Sequence, residues 1–159
     1  MRGTKNVIIN SMIIAETDNF TLESHPAPEV SRTDGGHLVI NPKVAVEDRT
    51  KLSIAQVIEL ALLTNLAGVA MKDGLAKRGI ELGRINYQDN GNWKPELHIH
   101  LYGRAKNATY QMYDEPIKAA RKLEDKIVQE PLSKEDCVAI RGELLTYSKN
   151  PGYDALNVR

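Results

Sequence analysis

The sequence predicts a single α+β domain: an antiparallel sheet packed against one long amphipathic helix, with helices at the C-terminal end. Three observations predict it. Short apolar or alternating runs recur between turn residues, one long stretch repeats apolar residues at helical spacing, and a helix-capping signal appears late in the chain. The 159 residues suffice for one real core and not for two full-sized ones, and no repeat or linker divides positions 1–159.

Val7-Ile8-Ile9 and Met12-Ile13-Ile14, around Asn10-Ser11, and then Phe20-Thr21-Leu22 read as a strand, a turn and a second strand. Residues 24–36 carry Pro26, Pro28, Ser31, Asp34 and Gly35-Gly36 and read as a surface loop. His37-Leu38-Val39-Ile40-Asn41 is a short strand stopped by Pro42, which has no N–H for a ladder. The long helix opens at Ser53, with Gln56 at capping-box spacing. Ile54, Val57, Ile58, Ala61, Leu62, Leu66, Val69 and Ala70 form its apolar face, and Lys77-Arg78-Gly79 ends it. Arg84-Ile85-Asn86-Tyr87-Gln88 and the run from Glu96 to Tyr102 alternate on either side of Asp89-Asn90-Gly91-Asn92, as two antiparallel neighbours would. A helix follows over about 117–129, broken by Pro131. Ser133 and Asp136 cap another, carried by Val138, Ile140, Leu144 and Leu145. After Asn150-Pro151-Gly152 a poorly packed tail is expected.

Composition excludes several functions. Twenty-one basic side chains balance twenty-one acidic ones, so no broad field recruits long nucleic acid or an anionic membrane. The single Cys137 can form neither an internal disulfide nor a thiolate zinc site. The opening residues lack the apolar segment of a signal peptide, so a cytoplasmic protein is expected.

The four histidines are His25, His37, His98 and His100. Strand alternation sends Leu97, Ile99 and Leu101 to one face and Glu96, His98, His100 and Tyr102 to the other, toward a cleft or solvent. Such a row has three readings: an unused polar face, a zinc site on Glu96, His98 and His100 with a further ligand such as His37, or a neutral imidazole that attacks phosphorus while its neighbour binds or protonates phosphoryl oxygens.

Two segments in order carry a family resemblance. Gly36-His37-Leu38-Val39-Ile40-Asn41-Pro42-Lys43 resembles the Gly-His-aliphatic-Val-Ile-Pro-Lys strand of the histidine triad superfamily, with an added Asn before the Pro. Glu96-Leu97-His98-Ile99-His100-Leu101-Tyr102-Gly103-Arg104 resembles that family's triad strand and its Gly-Arg exit. The similarity spans about residues 10–104, leaving about 105–159 as a helical extension.

The resemblance implies a nucleotide hydrolase or transferase. His98 matches the nucleophile that attacks the α-phosphorus, His100 the position that contacts phosphoryl oxygen, and His37 a further histidine lining the pocket. Glu96 stands where the family has its first triad histidine; its side chain cannot be cationic, but its backbone carbonyl can still accept from His98. Gly91 and Asn92, with Asn86, match positions that present donors to phosphate. Trp93 falls where a hydroxyl residue is common and reads as a base-stacking wall or as a core or dimer-contact residue. Arg104 is a candidate phosphate clamp. The ribose-binding acidic position falls at His25, which can hydrogen-bond a hydroxyl. Implied substrates are dinucleoside polyphosphates, such as diadenosine tetraphosphate, or nucleoside phosphoramidates. No cofactor is required, though magnesium often accompanies polyphosphates, and a homodimer is a possible assembly. The alternative is a non-catalytic nucleotide-binding or regulatory protein on the same fold.

Overall fold

Alternation decides which side of each strand is buried, and the aliphatic rows supply the side that meets the long helix. In the computed structural model, which describes residues 11–89, 91–119 and 129–159, the strands are β1 (Ile13–Glu16), β2 (Phe20–Ser24), β3 (His37–Pro42), β4 (Leu82–Gln88) and β5 (Ile99–Ala105). The helices are α1 (Ile54–Ala76) and α2 (Lys134–Tyr147). Every strand pairing is antiparallel, in the order β1-β2-β3-β5-β4. The α+β class and the sheet-on-helix arrangement are as the sequence predicts. The strand expected at 7–9 and most of the helix expected over 117–129 lie outside the described residues.

Phe20, Leu22, Leu38, Ile40, Leu97, Ile99 and Leu101 are buried together with Leu60, Leu63, Leu66, Ala67, Met71 and Leu75 of α1. At roughly 2 kcal/mol per large side chain, this cluster is the main stabilising element of the fold. The capping box at the start of α1 is present in both directions, Ser53 with Gln56, and Gly79 supplies the left-handed residue beyond its end at φ 78°. The predicted apolar face is wrong in part. Ile54, Val57, Ile58 and Val69 are exposed, and the stripe through Leu60, Leu63, Ala67 and Met71 is buried instead. Because α1 is apolar on more than one side, periodicity alone cannot choose its buried face. It is also the one helix among the described residues long and apolar enough to cross a membrane, and here it serves as the core helix.

Three further expectations are corrected. Most of residues 24–36 is not a surface loop: Ser24, Val30, Ser31 and Asp34 are buried, and Arg32 forms a bidentate pair with the α2 carboxylate Asp136 at 2.8 and 2.9 Å. The C-terminal tail is packed, with Leu156 buried and Glu16 and Arg159 exchanging backbone hydrogen bonds at 2.8 and 2.9 Å along β1. Val138 of α2 is exposed, while Cys137, Ile140 and Leu144 face α1 and the core. Thus α2 lies behind the sheet, and the histidine-bearing face belongs to the loops.

Candidate active site

Cross-strand register brings the polar row together. His37 pairs with Tyr102 and Val39 with His100 across β3 and β5, while Asn86 pairs with Tyr102 and Gln88 with His100 across β4 and β5. Directly opposed residues share a face, so His37, His100, Tyr102, Asn86 and Gln88 all rise from the side opposite the core. His25, just past β2, donates its backbone N–H to the His37 carbonyl at 3.0 Å and so joins the same row.

The hydrogen bonds assign each ring its tautomer. His98 Nδ1 lies 2.7 Å from the Glu96 carbonyl. A carbonyl only accepts, so Nδ1 carries a proton and Nε2 is the nitrogen at which a lone pair can be presented. His37 Nδ1 accepts from the Glu29 amide at 3.1 Å, so its proton sits on Nε2, which donates to His100 Nδ1 at 2.8 Å. His100 must then carry its own proton on Nε2. The neutral forms follow from the environment. Burial, reinforced by His25 and the other imidazoles, holds His37 well below the ordinary histidine range. Burial also lowers His100 to about 4, with smaller effects from His98 and His25. Ring contacts fix the planes: His98 stands edge-on to His100 at 4.7 Å, and Tyr102 stacks on His100 at 5.5 Å.

Two clefts meet at these rings. One, of about 400 Å³, is lined by His25, His37, His98, His100 and Tyr102 together with Gln88, Gly91, Asn92 and Trp93. The other, of about 520 Å³, lies toward β2 and β3 and includes Thr21, Glu23, Asn41, Lys43, Lys94 and Glu96 as well as His25, His98 and His100. Gly91 takes φ 60°, a left-handed turn that a side chain would oppose. Trp93 is 79 % exposed, which removes the core reading and leaves its ring at the cleft wall. The Glu96 carboxylate pairs with Lys94 at 2.8 Å, so a neighbouring cation offsets its charge.

No family model matches this sequence, and no curated protein matches it. Solved structures do. A hypothetical histidine triad nucleotide-binding protein from Sulfolobus tokodaii aligns with TM-score 0.61 and 17 % identity over 90 % of this chain and 89 % of that one. A histidine triad protein from Sinorhizobium meliloti aligns with TM-score 0.62 and 17 % identity over 86 % and 88 %. The chain has the histidine triad fold. A zinc-bound histidine triad family protein from Mycobacterium smegmatis shares this fold at TM-score 0.52 and 15 % identity, over 86 % of this chain and 87 % of that one.

On this histidine triad fold, His25, His37, His98, His100, Gly91, Asn92 and Trp93 converge on the first cleft, with Glu96 at the second. Arg104 and Asn86 do not join them. Arg104 is 1 % exposed and donates to Asn86 Oδ1 at 2.6 Å, to the Glu115 carbonyl at 2.8 Å and to the Met112 carbonyl. It shares the His100 face, but residues 108–118 cover it, so its guanidinium braces that segment and is not a phosphate clamp. The Gly before it serves packing: a Cβ on Gly103 would stand 2.0 Å from the Gly35 carbonyl oxygen. Tyr102, Gln88 and Glu29 also line the cleft, and same-face register with His37 and His100 is the sequence signal that marks the first two. The Glu29 amide that sets the His37 tautomer carries no sequence signal, since a backbone N–H is present at every residue but proline.

Proposed function

We propose that the protein binds a nucleotide and hydrolyses it at the α-phosphorus, with His98 as nucleophile. One observation carries this reading: the hydrogen bond from His98 Nδ1 to the Glu96 carbonyl, which turns the Nε2 lone pair toward the cleft. The departure at position 96 leaves that bond intact, because it is made by the backbone.

In the proposed first step His98 Nε2 attacks phosphorus and an N–P bond forms. The bond from phosphorus to the leaving oxygen or nitrogen breaks, the leaving group taking its electron pair and then a proton from water. In the second step water attacks phosphorus, the N–P bond breaks with its electrons returning to Nε2, and the water proton passes to solvent. The Nε2–H of His100 stabilises charge on a non-bridging oxygen. Gly91 and Asn92 offer backbone and amide donors, and Trp93 a face for the base. The substrate class is a dinucleoside polyphosphate, such as diadenosine tetraphosphate, or a nucleoside phosphoramidate. The step as written uses no metal, and magnesium would enter with a polyphosphate. The reading places the activity in the cytoplasm.

The proposal extends to a homodimer. β1 is covered by the C-terminal tail, whereas the outer side of β4 is an open sheet edge among the described residues, beside exposed Tyr87 and Val69. A second copy pairing β4 to β4 about a two-fold axis would close it, which sedimentation at two concentrations tests.

The catalytic reading is tested by incubating wild type and His98→Ala with diadenosine tetraphosphate and an adenosine phosphoramidate. Wild type is expected to turn over and to show a nucleotidyl adduct by intact mass after quenching without acid, and the variant to lose at least ~10³-fold in rate. Unchanged turnover in the variant would sink the mechanism. Nucleotide binding without turnover in either protein would favour the non-catalytic alternative.

A further inference from the structure

His25, His37 and His100 present ring nitrogens within 4.8 Å of one another, a grouping with the composition of a transition-metal site. The backbone around them is arranged for the opposite kind of ligand. A metal-bound histidine normally donates its other ring N–H to an acceptor. Here that other position faces a donor twice: the Ala27 amide gives its proton to His25 Nδ1 at 3.2 Å, and the Glu29 amide gives its own to His37 Nδ1 at 3.1 Å. Both neutral rings therefore carry their protons on Nε2. The His37 proton is spent on His100 Nδ1, which moves the next donor outward to His100 Nε2–H. The one lone pair on the cluster's inner edge, at His100 Nδ1, is already taken by the His37 proton, so the three rings offer no set of free lone pairs.

The His25 Nε2–H has no hydrogen-bond partner among the described residues, yet it is not a sealed buried atom, and His25 lines both clefts. Its plane is fixed by flat stacking on His37, with centroids 4.3 Å apart and 4° between planes. The His25 and His100 centroids lie 6.0 Å apart. Two N–H donors on adjacent rings suit the oxygens of a phosphoryl group, which accepts and never donates when ionised. The Glu29 carboxylate lines the same cleft and is an acceptor for a sugar hydroxyl, so comparing a phosphorylated with an unphosphorylated nucleoside decides which of the two His25 holds.

We propose that His25 is a phosphoryl-binding residue, donating Nε2–H to an anionic substrate oxygen beside the one held by His100, and that the three-imidazole cluster binds an oxyanion in place of a cation. This rests on the nucleotide reading above and changes the role of position 25 from ribose to phosphate recognition.

The test compares AMP with adenosine as probes, by calorimetry, on wild type, His25→Ala and His25→Gln. His25→Ala should weaken AMP roughly 10- to 100-fold, the range of a hydrogen bond to a charged group, while adenosine changes less than about twofold. His25→Gln, whose amide nitrogen reaches the Nε2 position, should recover most of the AMP affinity. Long-range proton–nitrogen correlation spectra of the folded wild type should show Nε2–H on His25, His37 and His100 and Nδ1–H on His98. Equal loss for AMP and adenosine, no loss for either, an Nδ1–H tautomer at His25, or stoichiometric zinc binding abolished by His25→Ala would each overturn the proposal. His98→Ala turnover reports separately on the nucleophile, so either idea can fail alone.

Discussion

Acidification from pH 7 to pH 5 is expected to destabilise the fold through its imidazole cluster, and His100 sets the scale. Burial, with smaller effects from His98 and His25, lowers its pKa from 6.5 to about 4. Between those values the unfolded chain binds more protons than the folded one. Stability from this ring is therefore fully present above pH 6.5 and is lost as pH falls through the window toward 4. Linkage gives a loss of about 2 kcal/mol between pH 7 and pH 5 for this ring alone. His37 and His25 are lowered in the same direction, chiefly by burial, and add to it. The remaining groups facing His100 are His98 and Tyr102, and burial raises the Tyr102 hydroxyl so that it stays neutral throughout. The effect is separable from that of Asp136. Burial pushes its carboxyl up, but the hydrogen bonds from Arg32 and the Ser133 amide outweigh this and hold it at about 2 against an ordinary 3.8, so its share is lost only at lower pH. Urea unfolding followed by far-UV circular dichroism at pH 7, 6 and 5 measures the loss in wild type and in His100→Gln. The variant should show a pH dependence smaller by about 2 kcal/mol. Identical slopes in the two proteins, or a flat wild-type curve, would refute the buried neutral relay.

Three other outcomes are expected. Glu96→Ala should alter kcat less than about tenfold, because the acceptor for His98 is a backbone carbonyl; a loss near that of His98→Ala would mean the carboxyl itself takes part in the chemistry. Asp34→Ala should cost about 3 kcal/mol, since the buried carboxylate accepts the amides of Thr109, Tyr110 and Gln111 at 2.8 Å each. The same change should raise KM by loosening the segment that brings Ile117 and Ala119 to the cleft, and chemical denaturation with steady-state kinetics reads both. Trp93→Ala should leave Tm almost unchanged, as the ring buries little, yet weaken adenine nucleotides by ~1 kcal/mol in calorimetry; a large drop in Tm would return Trp93 to a packing role.

Much of the site is legible in the chain because a strand has a period of two. His98 and His100 share a face with Tyr102 whatever the rest of the protein does, and Leu97, Ile99 and Leu101 must then turn to the core. Capping boxes at Ser53 and Ser133 are likewise local, since each closes within one helical turn. Arg104 shows where that legibility stops. It continues the His98 and His100 row, and only the later chain, drawn over it by Asp34 and Gln111, converts a candidate phosphate ligand into a buried brace.

The sequence by itself determined the α+β class, the face on which two imidazoles stand, and the backbone carbonyl that orients His98, because all three depend on residues within a few positions of one another. Tertiary structure alone decided which side of α1 is buried, that the C-terminal tail closes β1, and which nitrogen of His100 carries its proton. The physical reason is the same in each case. A helix apolar on several sides has no local preference for one of them. An imidazole likewise has two nearly equivalent nitrogens until a partner separates them: His98 and His25 find theirs two residues away, at the Glu96 carbonyl and the Ala27 amide, whereas His100 depends on His37 from the neighbouring strand.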